Sequence, residues 1–338
     1  MSKKVLVKDL VEALDKITGG RVLKSPEDTA GGKNLFVVTK SSNIPGKAVT
    51  ETPGLVCGSM EMEIKKAAVI MTLTESAIEL AGATGVDAIV AHHPIADAAN
   101  SGGVLLRTYL GLYKVAALEL HEAFHGLHPG IAYLHGHRAY HVDIRYGGIP
   151  GNILYVGEAL AGIKTVGDML ERLNTLMSAE VEERMLESER EIRGCRDIQE
   201  TSVCAKGVIL VGRPENPVTK VIHIFPHTGF TPEHLESVVR EHPGADTLLA
   251  TISRAYPGNP LIEKARQLGL NFICGNSHAL EIMENGLPLA WAIKAHLPEL
   301  EVVLFRERMT SVPLESFGGK ELQEYARDIS ARFLSGKK

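Results

Sequence analysis

The sequence predicts an α/β fold made of two similar lobes, and three observations carry that expectation. With 338 residues the chain is long enough for two domains at about 150 residues each. Two segments follow one plan. The first runs from KAAVIM at Lys66 through a helical stretch starting near Thr74 to AIVA, reached through Gly85-Val86-Asp87. The second runs from KVIHIF at Lys220 through a helix starting at Thr231-Pro232 to TLLA, reached through Gly244-Ala245-Asp246. The strands in both are apolar without alternation, as in parallel sheets covered on both faces. The shared Gly-x-Asp lead-in reads as internal duplication of one βαβ unit.

The other elements fit around these two units. Val7, Leu10, Val11, Leu14 and Ile17 form the stripe of an opening amphipathic helix. Residues 18–60, rich in Gly, Ser, Thr and Pro, read as loops with short strands. LLRTYLGLYKVAALEL reads as a long helix or a helix running into a strand. Thr165-Val166-Gly167-Asp168 is a capping box that opens a helix to about Met177. The charge-dense residues 180–200 suit a solvated helix or linker. Asn259-Pro260 starts a further helix, Gly269 stops it, and a strand follows from Asn271. A last helix, roughly 319–334, carries Leu322, Tyr325, Ile329 and Phe333 on one face. The expected division is an N-terminal α/β lobe (1–150), a connecting segment with a charged linker (151–215), a C-terminal α/β lobe (216–315) and a C-terminal helix (316–338).

Composition removes several function classes. Apolar residues at 44% and charged residues at 23% exclude overall disorder. A net charge of −5 with no basic block leaves no footprint for phosphate-driven nucleic-acid binding. No apolar run reaches the roughly 18 residues of a membrane span, and MSKKVLVKDLVEAL does not read as a signal peptide. Cys57, Cys195, Cys204 and Cys274 are scattered without a CxxC, so neither a disulfide framework nor a thiolate zinc knuckle is indicated. A cytoplasmic protein is expected.

Fourteen histidines are the unusual feature. His92 and His93 stand at the end of the strand VDAIVA, beyond the carboxyl end where open α/β sheets bind ligands. Neighbours on extended backbone project differently, so this pair suits two different metal ions better than one. His121 and His125 are four apart, with Glu122 between them, in a literal H-E-x-x-H. In a helix such a pair shares a face and binds one metal, with the Glu as base. Against a peptidase, Gly126 ends that helix early and no third ligand stands at the expected spacing. His278 and Glu281 follow the strand FICGN; if helical, they share a face, and a carboxylate beside a histidine can bridge two cations. His227 follows another strand and faces the same crevice in this reading. His128, His135, His137 and His141 read mostly as surface residues.

These motifs resemble the Nif-three-like family, also labelled dinuclear-metal-centre hexameric proteins or GTP cyclohydrolase I type 2 homologues. The likeness is collinear over roughly residues 5–310, through VKDLVEALDKI, IKKAAVIMTLTESAIELAGATGVDAIVAHHP and GNSHALEIMENG. The resemblance implies two divalent metals between two α/β lobes, and a ring-shaped homohexamer. His92 and His93 match the family's paired histidines. His121 and His125 fall where the family has a His followed four residues later by an Asp. His278 and Glu281 fall where it has a His followed four residues later by a Glu. The expected ligand set is therefore His92, His93, His121, His125, His278 and Glu281. Its imidazole-rich character favours Zn, Ni or Fe, with Mn less suited. The first reading is a metal-dependent hydrolase with Glu281 and Glu122 in catalytic roles, and a nucleotide or phosphoester-type small-molecule substrate is what the resemblance implies. A non-enzymatic metal-binding or regulatory scaffold and an H-E-x-x-H zinc peptidase are the alternatives. Residues 315–338 have no counterpart in that pattern.

Overall fold

A computed structural model describes residues 4–24, 34–41, 48–95 and 106–334. Parts of the expected 18–60 loop region and the last four residues of the C-terminal segment lie outside the described residues, as do the first three.

Two mixed sheets carry the architecture. In the first, Glu301–Leu304, Lys66–Ile70, Ala88–Ala91 and Ala116–Glu119 lie parallel in that order, and Gly54–Cys57 adds an antiparallel edge. In the second, Asn271–Ser277, Thr247–Ile252 and Lys220–Ile224 are parallel. Val208–Val211 closes one side of it antiparallel, and Leu154–Ala159 and His137–Asp143 close the other. Two strands cross the lobe limits expected from sequence: His137–Asp143 pairs into the second sheet and Glu301–Leu304 into the first.

The absence of polar alternation in the central strands has a direct structural cause. Ala67 and Val69 pack against the opening helix Val7–Thr18 through Leu10 and Leu14, while Ala68 and Ile70 pack against Ile78 and Ala81 of helix Glu75–Thr84. In the second sheet Ile222, Leu248 and Phe272 face helices Pro232–Glu241 and Pro260–Gln267. Val221, Leu249 and Ile273 face Val166 and Met169 of helix Val166–Leu176. Period-2 side-chain alternation therefore buries both sets.

The two Gly-x-Asp lead-ins do the same work. Gly85 (φ +68°) caps its helix in the left-handed region and Gly244 (φ +84°) turns the chain likewise. Asp87 Oδ2 then accepts from the Lys65 and Lys66 amides, and Asp246 Oδ2 from the Thr219 amide. Each aspartate thus pins the start of its strand to the start of the neighbouring one. Among the described residues, no helix is long and apolar enough to cross a membrane.

The surface assignment of His135 and His137 is corrected. Both are almost fully buried, as is His223. His137 Nε2 lies 3.0 Å from His223 Nδ1. His135 Nδ1 donates to Ile131 O at 2.9 Å, which leaves Nε2 to accept from the Asn276 amide. Gly275 makes room for this ring, since a Cβ there would sit 2.5 Å from His135 Nε2. The segment around these residues has no apolar periodicity, so nothing in the sequence signalled burial. Burial pushes His135 down to about 4 and His137 down to about 3. The unfolded chain takes up protons at these positions near pH 6.5, whereas the native chain does not until far lower. The contribution of these two histidines to native stability is therefore full above that pH and is lost as pH falls below it. Thermal melts of metal-free protein between pH 7 and pH 5 should show a falling midpoint, with a shallower slope in His137→Leu.

Candidate metal centre

The centre forms where the carboxyl ends of strands from both sheets meet. His92 and His93 continue strand Ala88–Ala91, and their amides donate to Ile70 O and Met71 O. His278 and Glu281 lie on a one-turn helix, His278–Glu281, that directly follows strand Asn271–Ser277. His121, Glu122 and His125 lie in a turn after strand Ala116–Glu119. Arg21 holds this turn from outside, its Nη1 donating to Ala123 O and His125 O. The helical frame that an H-E-x-x-H peptidase needs is not formed by residues 121–125, which corrects that expectation; Phe124 instead closes a tight turn onto His121 O.

Three histidines are held by their outer nitrogens. His92 Nδ1 donates to Leu120 O at 2.9 Å. His93 Nδ1 lies 2.8 Å from Thr72 Oγ1. His121 Nδ1 lies 2.8 Å from Glu51 Oε2. Such outer partners fix ring orientation and tautomer in metal-ligating histidines. Glu281 stands between the first two: its Oε1 is 3.3 Å from His92 Nε2 and its Oε2 is 2.9 Å from His93 Nε2. Asn285, one helical turn on, donates to Glu281 Oε1.

Two groups of expected ligands result. His92, His121 and His125 form one, and His93, His278 and Glu281 the other, each with ligand atoms within 4.8 Å of one another. Both could hold a metal ion. A third group, Glu51, His121 and Glu122, shares His121 with the first. Burial lowers the affinity of His92, His121 and His278 for protons, which favours the neutral imidazoles that metals require. Burial alone would raise the Glu281 carboxyl, but His93 and His92 hold it well below the usual range.

The groups open onto a cavity of about 630 Å³. Its remaining lining includes Ile149, Pro150, Ile153, Phe225 and Ile252, together with Thr228 and His227. His227 Nδ1 lies 2.5 Å from Ser253 Oγ and its ring centroid is 5.4 Å from that of His278. It stands at the cavity wall, outside the three groups.

Residues 36–99 match the family model Duf34/NIF3 (NGG1p interacting factor 3). These findings support a Nif3-like family assignment. Several solved structures share the fold across nearly their whole length. Reduced HcgD from Methanocaldococcus jannaschii superposes with a TM-score of 0.57 at 15% identity, covering 90% of this chain and 99% of that one. A Bacillus cereus protein related to NIF3 gives 0.55 at 11% identity, with 90% and 98% covered. A Staphylococcus aureus hypothetical protein gives 0.51 at 14% identity, with 89% and 96% covered. No curated protein matches the sequence.

The ligand-type residues of this chain were visible as motifs, whereas Glu51, Thr72 and Arg21 were not. Glu51 is 70 residues from His121 and Thr72 is 21 from His93, separations that only the sheet topology closes. Asn285 was within reach of sequence reasoning, at i+4 from Glu281 on a helix. Glu51→Gln keeps the side-chain shape but removes the charge that orients His121. It should weaken divalent-metal binding by roughly 10–100-fold in a chelator-competition titration.

Proposed function

We propose that the chain holds two divalent ions between two similar, duplicated α/β lobes, with Glu281 bridging them, and that it is a metal-dependent hydrolase of a small molecule. The supporting observation is the arrangement of His92, His93 and His121. Each has its Nδ1 engaged by an outer partner, and the Nε2 atoms of the first two converge on separate oxygens of one buried carboxylate. The donor set suits such ions further, because His125 Nδ1 is buried without a hydrogen-bond partner beside Glu122, whose Oε2 is 3.6 Å away.

His92, His121 and His125 would hold one ion, and His93 and His278 the other. Five imidazoles to one carboxylate favour Zn, Ni or Fe, with Mn less suited. When bound, paired divalent ions supply Lewis-acid polarisation of a substrate oxygen and a water-derived nucleophile at neutral pH. Glu122, buried and lining the cavity, would serve as the general base for an attacking water. The apolar wall around Ile153, Phe225 and Ile252 would exclude bulk water and seat the body of the substrate. The cavity is of the size of small-molecule sites, roughly 300–1,000 Å³. A nucleotide or phosphoester substrate, a homohexameric ring and a cytoplasmic setting follow from the family resemblance.

Metal analysis of untagged protein should give up to two ions per chain, and the His92→Ala/His93→Ala double variant should lose both while keeping its circular-dichroism spectrum. Glu122→Gln should retain the metals and lower turnover by about 10²–10⁴-fold on a hydrolysable substrate found by panel screening. Full metal content with no turnover on any ester, amide or nucleotide would favour the non-enzymatic scaffold. His125→Asp restores the family's residue. It should shift preference toward Mn or Mg and flatten the loss of metal between roughly pH 7 and pH 5, where protons compete for imidazole. Unchanged preference and pH profile in this variant would remove His125 from the ligand set.

A further inference from the structure

The C-terminal helix Lys320–Ile329 and its continuation Ser330–Leu334 leave an apolar face uncovered. None of their residues is buried. At 100° per residue Leu322, Tyr325, Ile329 and Phe333 fall on one side, and Leu322, Tyr325 and Phe333 are 50%, 63% and 73% exposed. Leu314 and Phe317, just before the helix, are also exposed, and Gln323 Nε2 ties that turn to the helix by donating to Leu314 O and Phe317 O. With Leu334, these side chains expose on the order of 800 Å², above the roughly 300–600 Å² of the largest patch on a typical monomer. That is about what one partner contributes to a standard protein interface.

We propose that this helix pairs antiparallel, about a two-fold axis, with the same helix of a second copy of the chain. The charges select the occupant. Lys320, Arg327 and Arg332 balance Glu321, Glu324 and Asp328, so the helix carries no net charge to draw it to an anionic lipid surface. Lys320–Glu324 and Asp328–Arg332 pair along the helix at i, i+4. Glu321 and Arg332 lie on the same flank of the apolar stripe, near opposite ends. An antiparallel partner sets Leu322 beside Phe333 of the partner subunit, and Tyr325 beside Ile329 of the partner subunit. The same register brings Glu321 next to Arg332 of the partner subunit, twice by symmetry. A parallel partner would instead set the Glu321 flank against the opposite flank, which carries Gln323, Ala326 and Ser330, and would leave Glu321 without that cationic partner.

Light scattering of the full chain tests this whatever ring it also forms. Leu322→Asp with Tyr325→Asp should lower the molar mass at micromolar concentration, by half where this contact alone joins two copies or two rings. Both positions are exposed, so the fold is kept, and circular dichroism checks that. Glu321→Arg alone and Arg332→Glu alone should each weaken the association several-fold, and the two together should restore it. A mass unchanged by the aspartate pair overturns the proposal. Failure of the double charge swap to restore association overturns the antiparallel register. Co-sedimentation with phosphatidylglycerol vesicles that the aspartate pair abolishes, with no change of mass in solution, would assign the face to a membrane instead.

Discussion

The constraint on which the rest depends is the placement of one buried carboxylate between two histidines from a different sheet. Glu281 is 2% exposed and sits at the end of the second sheet, while His92 and His93 end a strand of the first. A carboxylate taken out of water is costly unless its oxygens are hydrogen-bonded, and the ring nitrogens of His92 and His93 and the Asn285 amide supply those partners. The loop after Ala88–Ala91 and the helix after Asn271–Ser277 must therefore meet. The turn 121–127, held by Arg21 through its carbonyls, closes the third side. Cavity, outer hydrogen bonds and ligand groups all follow from that meeting.

Much of the fold was legible because its signals are local. Unbroken apolar strands, Thr74 and Thr165 as caps, and Asn259-Pro260 as a helix start each depend on neighbours within four residues. His92, His93, His278 and Glu281 were legible for a related reason: strand ends are where a parallel sheet exposes side chains to a shared crevice. What could not be read depends on distant pairing. Edge strand Glu301–Leu304 belongs to the sheet begun more than two hundred residues earlier, and no local pattern says so. His121 and His125 illustrate a subtler failure. Their spacing suggested a helical face, yet a turn brings their rings to 4.6 Å by a different route. The i, i+4 spacing was a correct pointer to proximity with the wrong geometry behind it.

The histidines divide into two populations by the same physical test. Around Glu281 the rings have an anionic neighbour, and His93, His121, His125 and His278 line the cavity. Around His223 they are sealed between strands, and His137 Nδ1 and His223 Nε2 find no hydrogen-bond partner. Burial lowers the basicity of both sets, but the carboxyl among the first, Glu281, is held as an anion, whereas the one beside the second, Glu284 Oε1 at 3.6 Å from His135 Nε2, is pushed up to about 8. Counting histidines cannot separate the two. Their outer contacts can.

Two glutamates one turn apart show how finely the environment divides their roles. Glu281 is held low by His93 and His92. Glu284, three residues on and fully buried, is pushed up to about 8 by desolvation, and neither the Asn276 amide that donates to its Oε1 nor any cation offsets this. At neutral pH Glu284 is thus chiefly the neutral acid while Glu281 is the anion. Divergent environments for neighbouring carboxyls are how one fold keeps negative charge at a chosen point. Were Glu284 also charged, the two anions would repel each other across the low-dielectric interior. Keeping it neutral concentrates the site's buried charge on the one carboxylate that faces His92 and His93.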